Sequence, residues 1–208
     1  ETGLRVIPAF ASGLDARPAV KAFFMDRGEP IVDAVVSLTG FSLVGGPAYN
    51  DTDAAQEMLE ALDVPYLAVQ GLEFQSLQDW ESSSMGLMPV EATMMVAIPE
   101  LDGATGSMVF GGRSELSAGE KFDMQPAPER IDRLADRVAR LVGLRHTPIA
   151  ERKVAIVLFN FPPNSGAAGT AAHLSVFESL FNTLSAMRDE GYHVDLPDSH
   201  VKLRDAIL

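Results

Sequence analysis

The chain has 208 residues, 47% apolar and 22% charged, which is typical of one large or two small globular domains. Its formal net charge of −13 disfavours unaided nucleic-acid binding, because a phosphate backbone would be repelled. The lack of cysteine excludes disulfides, zinc ribbons and thiol nucleophiles, and no apolar run approaches the roughly 20 residues of a membrane-spanning helix.

The first seventy residues alternate between strand-like and helix-like patterns. Short apolar or β-branched runs predict buried strands at 4–10, 31–38 and 65–70. Between them, the apolar spacing predicts helices over 18–26 and 53–62. The second helix has Asp53 as its expected N-cap, with Asp51 as a further capping candidate. This β-α-β-α-β order predicts an α/β fold with mostly parallel sheets and flanking helices, of the Rossmann or flavodoxin kind.

The middle of the chain carries weaker signals. Residues 77–82 favour a helix, 90–98 fit either a helix or a strand, and 108–110 predict a short strand. A clear apolar stripe over 126–143 predicts a long helix that Gly143 caps.

A second α/β unit is predicted to begin near residue 150. The polar, proline-containing stretch 145–152 indicates a boundary, 153–159 predicts a buried strand, and 171–188 predicts a helix that Gly191 ends. We therefore predict an α/β domain over 1–148 and the start of a second unit, cut off at the C-terminus, over 149–208. That pattern and the missing initiator methionine indicate an internal segment of a longer protein.

Three glycine-containing loops are predicted at the carboxyl ends of strands, where open α/β sheets bind ligands. They are 40–51, 70–79 and 160–170. Gly45, Gly46, Gly166 and Gly169 either let the backbone approach an anionic ligand closely or simply allow sharp turns. Neither GxxxxGK[ST] nor GxGxxG is present, so ATP binding by these loops is disfavoured.

Residues 94–103 (MMVAIPELDG) combine an apolar run with two carboxylates in a turn that glycine closes. Glu100 and Asp102 could serve acid/base chemistry or bind a metal beside an apolar pocket, or could be two solvated acids at the end of an element. Arg113 could pair with either carboxylate or clamp a carboxylate of a substrate. Glu73 could line a pocket, and the methionines at 85, 88, 94 and 95 suit an adaptable apolar surface.

Four stretches together resemble a known family. They are 39–47 (TGFSLVGGP), 63–70 (DVPYLAVQ), 99–103 (PELDG) with Gly112-Arg113, and 160–177 (NFPPNSGAAGTAAHLSVF). Along nearly the whole chain, the sequence resembles the large H subunits of magnesium chelatases, which are similar to the large subunit of cobaltochelatase.

The resemblance implies ATP-dependent insertion of Mg2+ into protoporphyrin IX, in chlorophyll and bacteriochlorophyll biosynthesis. It implies that this subunit binds the porphyrin, that partner I and D motor subunits use the ATP, and that the protein works in the cytoplasm of a photosynthetic bacterium or in the chloroplast stroma. Glu100 is then the expected proton acceptor or metal relay, with Asp102 as its partner.

Under the same resemblance, Arg113 would meet a propionate, Gly45, Gly46, Gly166 and Gly169 would contact substrate, and Glu73 and Glu91 are weaker candidates. The segment alone is expected to be inactive. The alternative is a non-catalytic, flavodoxin-like module that binds an anion or tetrapyrrole, or docks the motor.

Overall fold

The computed structural model describes residues 2–46, 48–114, 123–159 and 174–208. The chain divides into two compact units, Glu1–Arg145 and His146–Leu208. None of the helices in the described ranges is long and apolar enough to cross a membrane.

Short strands and helices alternate through the first unit. Its strands are β1 (Met25–Asp26), β2 (Glu29–Pro30), β3 (Val35–Ser37), β4 (Gly45–Gly46), β5 (Tyr49–Asn50), β6 (Tyr66–Ser76), β7 (Met108–Ser114) and β8 (Asp123–Pro126). Its helices are α1 (Arg17–Phe23), α2 (Thr52–Leu62), α3 (Leu77–Ser82), α4 (Pro89–Glu91), a π-helical turn (Ala92–Ala97), α5 (Ile98–Leu101) and α6 (Pro128–His146).

The principal sheet has the strand order β3-β6-β7-β8. β6 pairs in parallel with β3 on one side and with β7 on the other, while β8 joins β7 antiparallel. The predicted α/β class with a mostly parallel sheet and flanking helices is therefore confirmed.

The core lies between this sheet and helix α2. Residues 66–70 of β6 are all buried, as expected for a central parallel strand covered on both faces. Helix α2 turns Ala55, Met58 and Leu62 towards them. The helix begins one residue earlier than predicted, and its cap is Asp51, whose carboxylate accepts the Ala54 N–H at 3.0 Å. The prediction of Asp53 as the cap was wrong.

Residues 89–101 form one continuous helical segment, which resolves the choice between helix and strand at 90–98. Pro99 has no N–H to give to the Met95 carbonyl one turn earlier. The buried Gln70 side chain donates to that carbonyl instead, at 2.9 Å, and so joins the helical segment to β6.

Several boundaries differ from the prediction. The strand predicted at 31–38 shrinks to β3, while β6 runs on to Ser76, so much of the predicted loop 70–79 is strand. Helix α3 matches its predicted range. Helix α6 continues past Gly143 to His146, so Gly143 lies inside the helix and does not cap it.

Two predicted strands, 4–10 and 153–159, are not strands in the structure. Val6 is 78% exposed and Val157 is 91% exposed, so neither stretch is buried as its apolar composition suggested. A strand needs a neighbour to accept its backbone hydrogen bonds, and within the described ranges no strand pairs with either stretch.

The second unit contains α7 (Val176–Asp189) and α8 (His200–Ile207), which pack against each other. Gly191 has φ +96°, a backbone conformation that favours glycine, and it follows the end of α7 as predicted. The first residues of the predicted helix 171–188 and the loop 160–170 lie outside the described residues.

Candidate functional site

The PELDG motif is the C-terminal cap of helix α5. Gly103 has φ +103°, and its N–H donates to the Glu100 carbonyl at 3.1 Å. The Ala104 N–H donates to the Pro99 carbonyl at 3.0 Å. These two bonds make a Schellman motif, in which the left-handed glycine reverses the chain so that the last carbonyls of the helix find donors. The positive φ that this cap requires therefore explains the glycine of the motif.

A cleft of about 640 Å³ opens beside this cap. It lies between the end of α2, the turn that enters β6 and the PELDG residues. Its lining residues are Gln56, Leu59, Glu60, Asp63, Val64, Pro65, Glu100, Leu101, Asp102, Gly103 and Arg145. The Gln56 amide donates to the Leu101 carbonyl at 3.1 Å, and Arg145 donates to the Asp63 carbonyl at 2.5 Å. Both bonds connect elements that line the cleft.

The two carboxylates predicted as catalytic, Glu100 and Asp102, are two residues apart in sequence but lie in different surroundings. Glu100 is exposed on the wall of the cleft, where a bound molecule could reach it. Asp102 is only 1% exposed, and its Oδ2 accepts the backbone N–H of Leu43 at 2.9 Å. Only Glu100 is therefore placed to touch a substrate without rearrangement.

Acidic side chains dominate the charge of the cleft. Glu60, Asp63 and Glu100 are exposed there, and Arg145 brings a positive charge. A cleft of this sign raises the local concentration of cations. The described residues nevertheless hold no group of three or more acidic or histidine side chains that could bind a metal ion directly.

Two buried polar groups, one of them in the PELDG turn, lack hydrogen-bond partners within the ranges that the structure describes. The Tyr66 hydroxyl and Asp102 Oδ1 are buried and have no hydrogen-bond partner in the described part of the chain. Burial is the main cause that raises the pKa of Tyr66 to about 12, and the negative charge of Asp102 raises this pKa further. The nearby Ser37 hydroxyl lowers the same pKa, although it does not meet hydrogen-bond geometry. The Tyr66 side chain is therefore neutral at ordinary pH.

Arg113 and Glu73 lie away from this cleft. Arg113 belongs to the end of β7, and its guanidinium donates to the Glu73 carbonyl at 3.1 Å. The PELDG turn precedes the start of the same strand, and seven residues of strand span roughly 20 Å. The structure thus gathers Glu100 and Asp102 at the amino end of β7 and Arg113 and Glu73 at its carboxyl end.

Gly45 is required by the backbone of the chain itself. A Cβ on Gly45 would lie 2.4 Å from both the Asn50 Cα and the Tyr49 carbonyl oxygen, across the hairpin of β4 and β5. A Cβ on Gly46 would lie 3.0 Å from Leu14. The backbone thus gives Gly45 a structural reason, whereas the exposed Leu14 side chain has room to yield to a Cβ on Gly46. Gly166 and Gly169 lie outside the described residues.

The methionine-rich surface is also separate from the cleft. Met85 is 86% exposed and Met88 is 42% exposed, whereas Met95 is buried, and none of the three lines the cleft. Near them, the fully buried Glu91 accepts the Met88 N–H at 3.0 Å and a hydrogen bond from the Gln75 amide. The burial of Glu91 had no clear signal in the sequence.

Comparison with known proteins gives a consistent result. The model of the CobN/Magnesium Chelatase family matches residues 1–208. The chain is 55% identical to the magnesium-chelatase H subunit of Cereibacter sphaeroides and 54% identical to that of Rhodobacter capsulatus, each over 99% of the chain and 18% of the relative. It is 41% identical to the chloroplastic ChlH protein of Oryza sativa subsp. indica, over 99% of the chain and 15% of the relative. The chain thus spans less than a fifth of the length of these relatives.

Proposed function

Because the chain belongs to the CobN/magnesium chelatase family, we propose that it is a segment of the porphyrin-binding H subunit of a magnesium chelatase. The whole protein would insert Mg2+ into protoporphyrin IX in chlorophyll or bacteriochlorophyll biosynthesis. The observation that carries this proposal is 55% identity to a magnesium-chelatase H subunit over 99% of the chain. A non-catalytic binding or docking module is not favoured, since the three relatives named above are magnesium-chelatase subunits.

We assign the use of ATP to partner I and D motor subunits. The described cleft is lined with carboxylates rather than with the lysine and glycine-rich backbone of a phosphate-binding loop. The relatives include bacterial and chloroplastic proteins, which supports a place in the bacterial cytoplasm or the chloroplast stroma.

Within this function, Glu100 is the proposed proton acceptor. Metallation of a porphyrin requires removal of two pyrrole N–H protons, and a carboxylate near the ring can accept the first, release it to water and then accept the second. Glu100 is exposed in the cleft, and Glu60 and Asp63 beside it would attract hydrated Mg2+. Because Mg2+ dehydrates reluctantly, carboxylates that hold it through its waters can pass it on to the ring. Asp102 is the buried partner of Glu100.

The test is Glu100→Gln in the full-length subunit, which removes the basic oxygen while preserving the size of the side chain. We expect kcat for Mg2+ insertion, measured with the motor subunits and ATP, to fall by about 100-fold or more. The Kd for protoporphyrin IX, measured by absorbance, should change less than about twofold, since the loss is in proton transfer rather than in binding.

The matched control is Glu57→Gln. Glu57 is an exposed glutamate of α2 that does not line the cleft, so the same chemical change there should leave turnover unaltered. Normal chelation by the Glu100→Gln protein would remove Glu100 from the mechanism.

A further inference from the structure

The bond between Asp102 and Leu43 joins parts of the chain that are 59 residues apart. Leu43 lies in the loop between β3 and β4, residues 38–44, and is 6% exposed. Its side chain packs in the same buried cluster as Ala104, which follows the PELDG cap directly. The 38–44 loop and the cap are therefore held together by one buried polar contact and by apolar packing.

Asp102 occupies an electrostatically unfavourable position. It is the residue at the C-cap of α5, where the partial negative charge of the helix end opposes a carboxylate. It is also almost wholly buried, and its Oδ1 has no partner among the described residues. Burial of a carboxylate is costly unless hydrogen bonds compensate. The bond that Oδ2 accepts from the Leu43 N–H is the visible compensation.

The residues around Glu100 are fixed from two sides. Leu101 is held through its carbonyl by Gln56 of α2, and Asp102 is held through its carboxylate by the 38–44 loop. Glu100 itself lies in the last turn of the helical segment 89–101, and the ends of helices fray unless other contacts hold them. The direction in which the Glu100 side chain enters the cleft therefore depends on the Gln56 and Leu43 contacts, in addition to the backbone bonds of the cap.

We infer that Asp102 is a positioning residue for metal insertion: its carboxylate oxygen holds the Leu43 N–H, locks the 38–44 loop against the PELDG cap and so orients Glu100 in the cleft. This inference rests on the proposed function for its catalytic consequence, but the tether itself does not. With 1% exposure, Asp102 does not touch the porphyrin or Mg2+. What position 102 requires is an acceptor oxygen, and not a negative charge.

Two substitutions in the full-length subunit separate these requirements. Asp102→Asn keeps an acceptor oxygen and removes the charge, whereas Asp102→Ala removes both. Hydrogen exchange over residues 38–46 reports the tether directly, because the Leu43 amide is protected by the bond to Asp102. We expect exchange there to rise about tenfold or more in Asp102→Ala and to stay near wild type in Asp102→Asn.

The rate of Mg2+ insertion should distinguish Asp102→Ala from Asp102→Asn in the same way. Because a misplacement of about 1 Å can cost about 100-fold in rate, we expect kcat to fall by about 10- to 100-fold in Asp102→Ala, with KM for Mg2+ nearly unchanged. Asp102→Asn should restore kcat to within about threefold of wild type. The control is Ser76→Ala, which removes the N-cap bond of α3 at the other end of β6 and should lower stability without lowering kcat.

Two results would overturn the inference. One is wild-type exchange over residues 38–46 in Asp102→Ala, which would mean that no tether exists. The other is loss of kcat in Asp102→Asn while that exchange stays protected, which would mean that the charge itself is needed. Asp102→Asn decides the second point even if Asp102→Ala fails to fold. Failure of the proposed function is a separate result, namely no Mg2+ insertion by the wild-type full-length subunit with its motor subunits and ATP.

Discussion

Replacing Gly103 with alanine should destabilise the first unit through backbone strain alone. Gly103 has φ +103°, and no heavy atom lies within 4 Å of the place where a Cβ would stand. The new methyl group therefore meets no clash, and the cost is that of forcing an L-residue into a positive φ, about 1–2 kcal/mol. For a chain of this length, that corresponds to a decrease of roughly 2–8 °C in Tm.

Gly143 offers a matched control with the opposite expected sign. No heavy atom lies within 4 Å of its Cβ position either, but its φ is not positive and it lies inside helix α6. Alanine is favoured over glycine by about 0.8–1 kcal/mol in a helix interior, so Gly143→Ala should raise Tm by roughly 2–4 °C.

Both variants are compared with the wild-type chain by thermal and urea unfolding. The reasoning would be refuted if Gly143→Ala lowered the stability, because helix α6 would then end at Gly143, as the sequence predicted. It would also be refuted if Gly103→Ala left the free energy of unfolding unchanged, because PELDG would then not depend on a left-handed cap.

Two buried polar groups give further predictions. Tyr66→Phe should be neutral or stabilising at pH 7, because the hydroxyl has no partner among the described residues. The pKa of Tyr66 is raised to about 12, above its usual 10, so ionisation of this side chain is harder in the folded than in the unfolded state, and stability is lost as pH rises from 10 towards 12. Urea unfolding of the wild type should therefore show a loss of about 2–3 kcal/mol across that range that Tyr66→Phe lacks. Gln70→Leu strands the Met95 carbonyl in the core and should cost about 1–3 kcal/mol by the same assay; an unchanged midpoint would contradict that role for Gln70.

The sequence predicted the fold class and the central elements because their signals are local. Helix α3 has a serine N-cap and a compact polar pattern, and its range was predicted correctly. The start of β6 was apolar enough to identify as a buried strand. The predicted strands at 4–10 and 153–159 failed because strand formation depends on pairing with another segment, which composition does not reveal.

The candidate site was harder to predict than the fold. The general rule that ligands bind at the carboxyl ends of strands directed attention to the loops after β3 and β6. The PELDG cleft instead lies at the amino ends of β6 and β7, where the chain enters both strands. The sequence places Glu100 and Asp102 two residues apart, but it could not show that only Glu100 is exposed.

The cap geometry divides the PELDG motif into a structural part and a chemical part. Pro99 supplies the carbonyl that accepts the Ala104 N–H, Asp102 holds the 38–44 loop, and Gly103 adopts the positive φ that the cap requires. Glu100 contributes only its backbone carbonyl to the cap, and any residue type could do that. Helix capping explains neither this exposed carboxylate nor the exposed side chain of Leu101. Of the two, only the carboxylate can accept a proton, which is why we assign the proton transfer to Glu100.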